Sequence, residues 1–259
     1  MNTRARGRGV LDRLISRARV AGTLGGRMHV QACARATLLV LLTGGFGWGC
    51  GTPNPLIRVV RMPNGMLRVD GPAAGPFEGT EELATHACEL MTRQPGATNR
   101  RLGEEYCALS YYSIEEKAYF LSYFSDFSRE DSSGVKACEV PLALNHMFNG
   151  QGGKRTLILG PGHNPPHDRE FSPRDMRRGR SEGWSPFGVS RFHDTWTNRV
   201  WERELFVFHR EPDGACSSFK YSYATRGVYA LREGRWLLIG RAEGRWGTFR
   251  PVEGRGWQR

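Results

Sequence analysis

From residue 106 onward the chain is a succession of short aromatic or apolar runs divided by turn residues, and this alternation constrains the fold most. Residues 106–112, 118–124, 136–144 and 156–159 read as strands, as do 204–208, 217–223, 228–231 and 236–240. Glu233-Gly234 supplies the turn between the last two. Ahead of them, Thr80 followed by Glu81 and Glu82 opens a helix that runs to about Arg93. Leu83, Ala87, Leu90 and Met91 share one of its faces, and Pro95-Gly96 ends it. Ser172 opens a short basic helix through about Arg178, and residues 179–198, polar and rich in Gly and Trp, read as a long loop. The expected class is α+β, a mixed β-sheet with flanking helices, in one domain over residues 80–259. About 180 ordered residues give ample core.

The 259 residues carry a formal charge of +11, which at first suggests a nucleic-acid partner. The distribution removes most of that support. Residues 1–49 hold eight Arg against Asp12 alone, a net of +7, so residues 50–259 keep 29 of the 37 bases and 25 of the 26 acids, a net of +4. The basic segment reads as an export signal, with Met28 as a more ordinary start. An apolar stretch of about a dozen residues follows Arg35 and ends in Gly-Trp-Gly-Cys50; it suits a signal core and is too short to span a bilayer. Cys50 resembles the lipidated cysteine of bacterial lipoproteins, although Gly47 stands where Leu is usual; a plain secretory signal cut near Cys50 is the alternative. Localisation is then the cell envelope, membrane-anchored through lipid, or else periplasmic or secreted. No nucleic-acid partner is expected.

Residues 50–79 read as a lipid-anchored tether with a small hairpin, residues 56–60 and 66–69 flanking Pro63-Asn64-Gly65. Pro72 to Pro76 then breaks the chain. Cys33 leaves with the signal and Cys50 carries lipid. Cys88, Cys107, Cys138 and Cys216 remain as disulfide candidates in an oxidising compartment, with three pairings open.

The chemistry-bearing stretch is residues 159–176, LGPGHNPPHDREFSPRDM. It sets His163, His167, Ser172 and Asp175 in a Gly/Pro-rich loop just after a strand, an arrangement in which a loop aims metal ligands that a strand holds still. Ser172-Pro173-Arg174-Asp175 is equally a helix start, with Ser as N-cap, Pro first and Asp third. Trp184, Trp196 and Trp201 have two readings, sugar-stacking platforms or buried sheet residues.

Gly162-His163-Asn164-Pro165-Pro166 followed by Phe171-Ser172-Pro173-Arg174-Asp175 resembles the G-H-x-H-P and F-S-x-x-D segments of the JAMM (JAB/MPN) zinc metallopeptidases. The resemblance covers roughly residues 105–210, and only 162–175 is specific. It implies a JAMM-like domain with cytidine-deaminase-like layering, with Zn2+ held by His163 and Asp175. Ser172 becomes an oxyanion helper, and Glu116, or its neighbour Glu115, the general base. The second ligand histidine falls on Pro165, which has no donor atom; His167 could replace it only through a tight turn.

Two functions follow. The first is an exported, lipid-anchored, metal-dependent hydrolase of peptide or isopeptide bonds. The second is a catalytically degenerate form of that fold serving as a cell-envelope binding module. Each would engage a peptide or protein at the envelope, with the membrane reached through lipid.

Overall fold

The computed structural model describes residues 53–99, 103–130, 136–146, 155–165, 170–176 and 184–257. Residues 53–259 make one compact unit. The export signal, Cys50 and His167 lie outside the described residues.

Aromatic and β-branched runs separated by tight turns favour strand pairing, and a nine-stranded sheet dominates. Its order is β18 (Thr248–Pro251), β17 (Arg235–Glu243), β16 (Gly227–Arg232), β15 (Cys216–Ser222), β14 (Glu204–Arg210), β9 (Thr156–His163), β4 (Cys107–Ser113), β5 (Ala118–Leu121), β3 (Ala74–Phe77). Neighbours are antiparallel except β9 and β14, which pair in parallel at Gly162–Phe206 and His163–Val207. The run from β14 to β18 is a meander of consecutive hairpins. The β16–β17 turn forms where Glu233-Gly234 places it, both residues at positive φ (49° and 73°).

The expected α+β layering is overturned. The protein is predominantly β, and among the described residues α1 (Thr80–Thr92) is the one helix longer than a single turn. It lies on one sheet face, burying Leu83, Ala87, Cys88 and Met91 against Ala108, Phe206 and Phe208. On the opposite face, Leu205, Val207, Phe219 and Tyr221 meet Phe171 and Met176, which bracket the one-turn helix α2 (Pro173–Met176). Burying each large side chain is worth about 1.5–3 kcal/mol, so both faces contribute substantially.

Three local expectations also change. In place of the long loop expected at 179–198, two hairpins run through residues 184–202, β10 (Trp184–Ser185) with β11 (Gly188–Val189) and β12 (Arg191–Asp194) with β13 (Arg199–Glu202). Run 136–144 splits into β7 (Lys136–Cys138), which pairs with β6 (Ser128–Glu130), and β8 (Ala143–His146). Pro141 stands in the gap, as proline lacks the ladder N–H. The hairpin at β1 (Val59–Arg61) and β2 (Leu67–Gly71) forms, but residues 53–79 are no tether. Strand β8 pairs with β2, Arg58 N–H donates to Phe124 O, and β3 is the sheet's edge.

Candidate functional site

His163 sits at the end of strand β9, not in a loop beyond it. The strand runs on through Gly160-Pro161-Gly162 because those glycines permit close approach. A Cβ at Gly160 would stand 1.7 Å from the Glu204 carbonyl oxygen, and one at Gly162 would stand 2.8 Å from the Phe208 ring. His163 pairs with Cys107 of β4 on one side and Val207 of β14 on the other. This aims its imidazole at the face away from α1, toward α2.

Two carboxylates meet that imidazole there. Nε2 of His163 lies 3.6 Å from Oε1 of Glu105 and 3.9 Å from Oδ2 of Asp175. His163 and Glu105 are nearly buried, their side chains 8% and 9% exposed, and Asp175 is 22% exposed. Glu105 also accepts a hydrogen bond from the Cys138 amide at 3.1 Å. Next to it, buried Asn164 accepts from Tyr106 N–H at 2.9 Å and donates to the carbonyls of Ala97 and Glu104. Asn164 thereby fixes the strand entry that carries Glu105. Sequence reasoning passed over both residues: Glu105 belongs to no motif, and Asn164 occupies a variable position of one.

Ser172 and Asp175 form a capping box. Oδ2 of Asp175 accepts from the Ser172 amide and hydroxyl, both at 2.8 Å, and the Asp175 amide donates to Ser172 Oγ at 3.2 Å. Of the site residues read from sequence, His163, Asp175 and Ser172 come together. Glu116 does not join them: it lies in the turn after Ser113, whereas His163 pairs with Cys107 at the far end of β4. That strand spans roughly 20 Å between these ends. Glu115, its exposed neighbour, shares that turn.

Glu116 has its own histidine. Its Oε2 stands 3.6 Å from Nε2 of buried His146, whose Nδ1 lies 2.9 Å from the Tyr111 hydroxyl. Burial, then the Glu116 charge, pushes the Tyr111 phenol well above its ordinary range. The chain Glu116–His146–Tyr111 thus fastens β8 to the main sheet and leaves Tyr111 a neutral hydrogen-bonding group.

A zinc site of the implied kind needs three protein donors and an open position. Among the described residues, His, Cys, Asp and Glu side chains gather into no set of three able to hold a metal ion. Pro165 offers no donor, and the Asp175 oxygen nearest His163 already accepts two hydrogen bonds from Ser172. By themselves these residues do not fit zinc.

Both disulfides support the local geometry. Cys88 of α1 joins Cys216 of β15, and Cys107 of β4 joins Cys138 of β7. They place the domain in an oxidising, exported environment. Among the described residues no helix is long and apolar enough to cross a membrane.

A second feature lies at the other end of the sheet, a cleft of about 910 Å³ lined by β16, β17, β18 and the C-terminal segment. Leu237, Phe249 and Trp257 give it apolar surface, and Arg232, Arg235 and Arg255 give it guanidinium groups; Glu170 and Glu233 also line it. Trp257 is held by Phe249 and Phe219, with ring centroids 4.6 and 5.2 Å away. Arg255 donates to the Leu238 carbonyl at 3.1 Å. Of the tryptophans singled out from sequence, Trp201 is buried against Tyr112 and Leu159, and Trp196 is 62% exposed on the β12–β13 turn. Compared with protein-family models, curated proteins and solved structures, the chain matches none.

Proposed function

We propose that this protein is an exported binding module of the cell envelope, anchored by lipid at Cys50, that holds an acidic, partly apolar peptide segment in the β16–β18 cleft. One observation carries this reading: the cleft is open and built, with an aromatic wall fixed by ring contacts beside three guanidinium groups. Guanidinium groups pair with carboxylates, and Leu237, Phe249 and Trp257 offer area for apolar side chains. The His163 cluster, by contrast, is nearly closed and internally hydrogen-bonded, as suits a structural junction.

The test is fluorescence anisotropy of a labelled peptide of alternating Glu and Leu. Saturable binding is expected for the wild type, and Arg235→Glu should weaken it about tenfold by placing like charge in the cleft. Peptide left free at millimolar wild-type protein rejects the cleft as its site. Metal-dependent hydrolysis of peptide or isopeptide bonds is the second reading, favoured by the two carboxylates that flank His163. It needs zinc donors beyond the described residues, and stoichiometric zinc in the purified protein would support it.

A further inference from the structure

Resting on the lipid-anchored reading above, we infer that the β1–β2 hairpin is a second binding surface, seated flat on an anionic bilayer. Its first support is the length of chain between anchor and fold. The described residues begin at Pro53, and Asn54 is already fixed by its side-chain hydrogen bond to Gln94 at 2.7 Å. Two residues separate Cys50 from Pro53, so their Cα atoms, three steps apart, stand at most about 11 Å from each other. A lipidated Cys50 therefore holds this end of the domain against the headgroups.

The second support is the chemistry of the face presented there. In the hairpin register Val60 pairs with Arg68, so these two side chains share a face, and Arg58 and Met66 fall on it by alternation. Leu67 and Val69 point the other way and are buried. Val60 is 53% exposed and Met66 36%, while Arg58 and Arg68 are exposed beside them. Asp70, the acid of this hairpin, accepts a hydrogen bond from Asn145 at 2.8 Å. Arginines around exposed apolar side chains match an anionic headgroup layer over acyl chains.

This seating has a consequence for the cleft. From β5, beside the hairpin, to β17, which lines the cleft, the sheet takes six strand steps, roughly 30 Å at the usual spacing. The cleft then stands clear of the membrane that the hairpin touches.

Site-specific labelling tests the inference on the full chain in its host membrane. The domain cysteines are paired, so Val60→Cys and, as a distant control, Trp246→Cys each add one thiol at an exposed position for a fluorophore. Lipid-borne quencher should quench the label at 60 severalfold more than the label at 246, and aqueous iodide should show the reverse order. Membrane-bound protein with equal quenching at both positions overturns the seating and leaves the anchor intact. Wild-type protein wholly in the soluble fraction overturns the anchor, and the seating with it. Quenching that stays unequal when Arg58 and Arg68 are both changed to Gln refutes the role given to charge.

Discussion

His163 and Glu105 face each other across neighbouring strands, imidazole nitrogen to carboxylate oxygen at 3.6 Å, although nothing in the local sequence links them. The pairing of Cys107 with His163 creates this contact, because it brings the residue two before Cys107 up to the end of β9. Glu105 then ties three things together: the histidine, the amide of Cys138, and through Cys138 the disulfide to β4.

Glu105→Ala should therefore cost stability. It removes the acceptor of a part-buried amide and the carboxylate beside a nearly buried imidazole, each loss worth about 1–3 kcal/mol where no water replaces it. Urea unfolding at neutral pH should show a deficit of about 2 kcal/mol or more, the two losses together, with the Cys107–Cys138 bond still formed. A deficit under about 0.5 kcal/mol, ordinary for a surface change, would mean that Glu105 holds nothing.

Much of the strand content was legible because it is carried by local signals. The runs at 204–208, 228–231 and 236–240 lie within observed strands, the run at 217–223 overshoots its strand by Tyr223 alone, and the Asn64-Gly65 and Glu233-Gly234 turns form as read, Gly65 at φ 81°. The β12–β13 hairpin of residues 191–202 escaped because Arg191, His193 and Asp194 are poor strand formers. The cross-strand pair of Phe192 with Trp201 helps set its register, and the two stand too far apart in sequence for a short local window to join them. Capping was legible at Ser172 and Asp175, since its signal lies within one turn. Partners of His163 and Glu116 were not, because strand order sets them, and the wrong order put Glu116 beside the wrong histidine.

The two disulfides should carry unequal weight. Cys88–Cys216 closes a separation of 128 residues and Cys107–Cys138 one of 31. In the chain-entropy account these stabilise by about 5 and about 4 kcal/mol at 25 °C. The double replacement Cys88→Ala with Cys216→Ala should thus lower the unfolding free energy more than Cys107→Ala with Cys138→Ala does. Thiol labelling of unfolded, unreduced protein should find all four cysteines blocked; reactive thiols at these positions would contradict the pairing and the exported environment inferred from it.

Acid sensitivity should show at the helix–sheet contact made by Glu89 and Arg210. Their side chains form two hydrogen bonds, 3.1 and 2.7 Å, and Arg210 also donates to Thr92. The hydrogen bonds from Arg210, with the charges of Arg210 and Arg93, hold the Glu89 carboxyl below its ordinary 4.5. A carboxyl depressed on folding gives stability that is present above the unfolded value and lost as pH falls through the folded one. Between about pH 5 and pH 3 the wild type should lose more stability than Glu89→Gln, the difference shrinking in high salt because the group is partly exposed. Parallel losses in urea titrations at both ends of that window would show the pair contributes nothing.

Gly160 and Gly162 offer the sharpest test of how β9 is held, because each would put a Cβ against a different kind of neighbour. At Gly160 the nearest atom is backbone, the Glu204 carbonyl oxygen at 1.7 Å, and it cannot move without parting β9 from β14. At Gly162 it is the edge of the Phe208 ring at 2.8 Å, a side chain that can rotate at modest cost. Gly160→Ala should therefore be severe, about 3 kcal/mol or more, and should disturb His163 three residues on. Gly162→Ala should fall in the usual overpacking range of about 1–3 kcal/mol. The comparison is made by urea unfolding of the two variants in the same buffer. If Gly162→Ala proves as damaging as Gly160→Ala, the close crossing of β9 over the start of β14 is wrong, and with it the placement of His163 between Glu105 and Asp175.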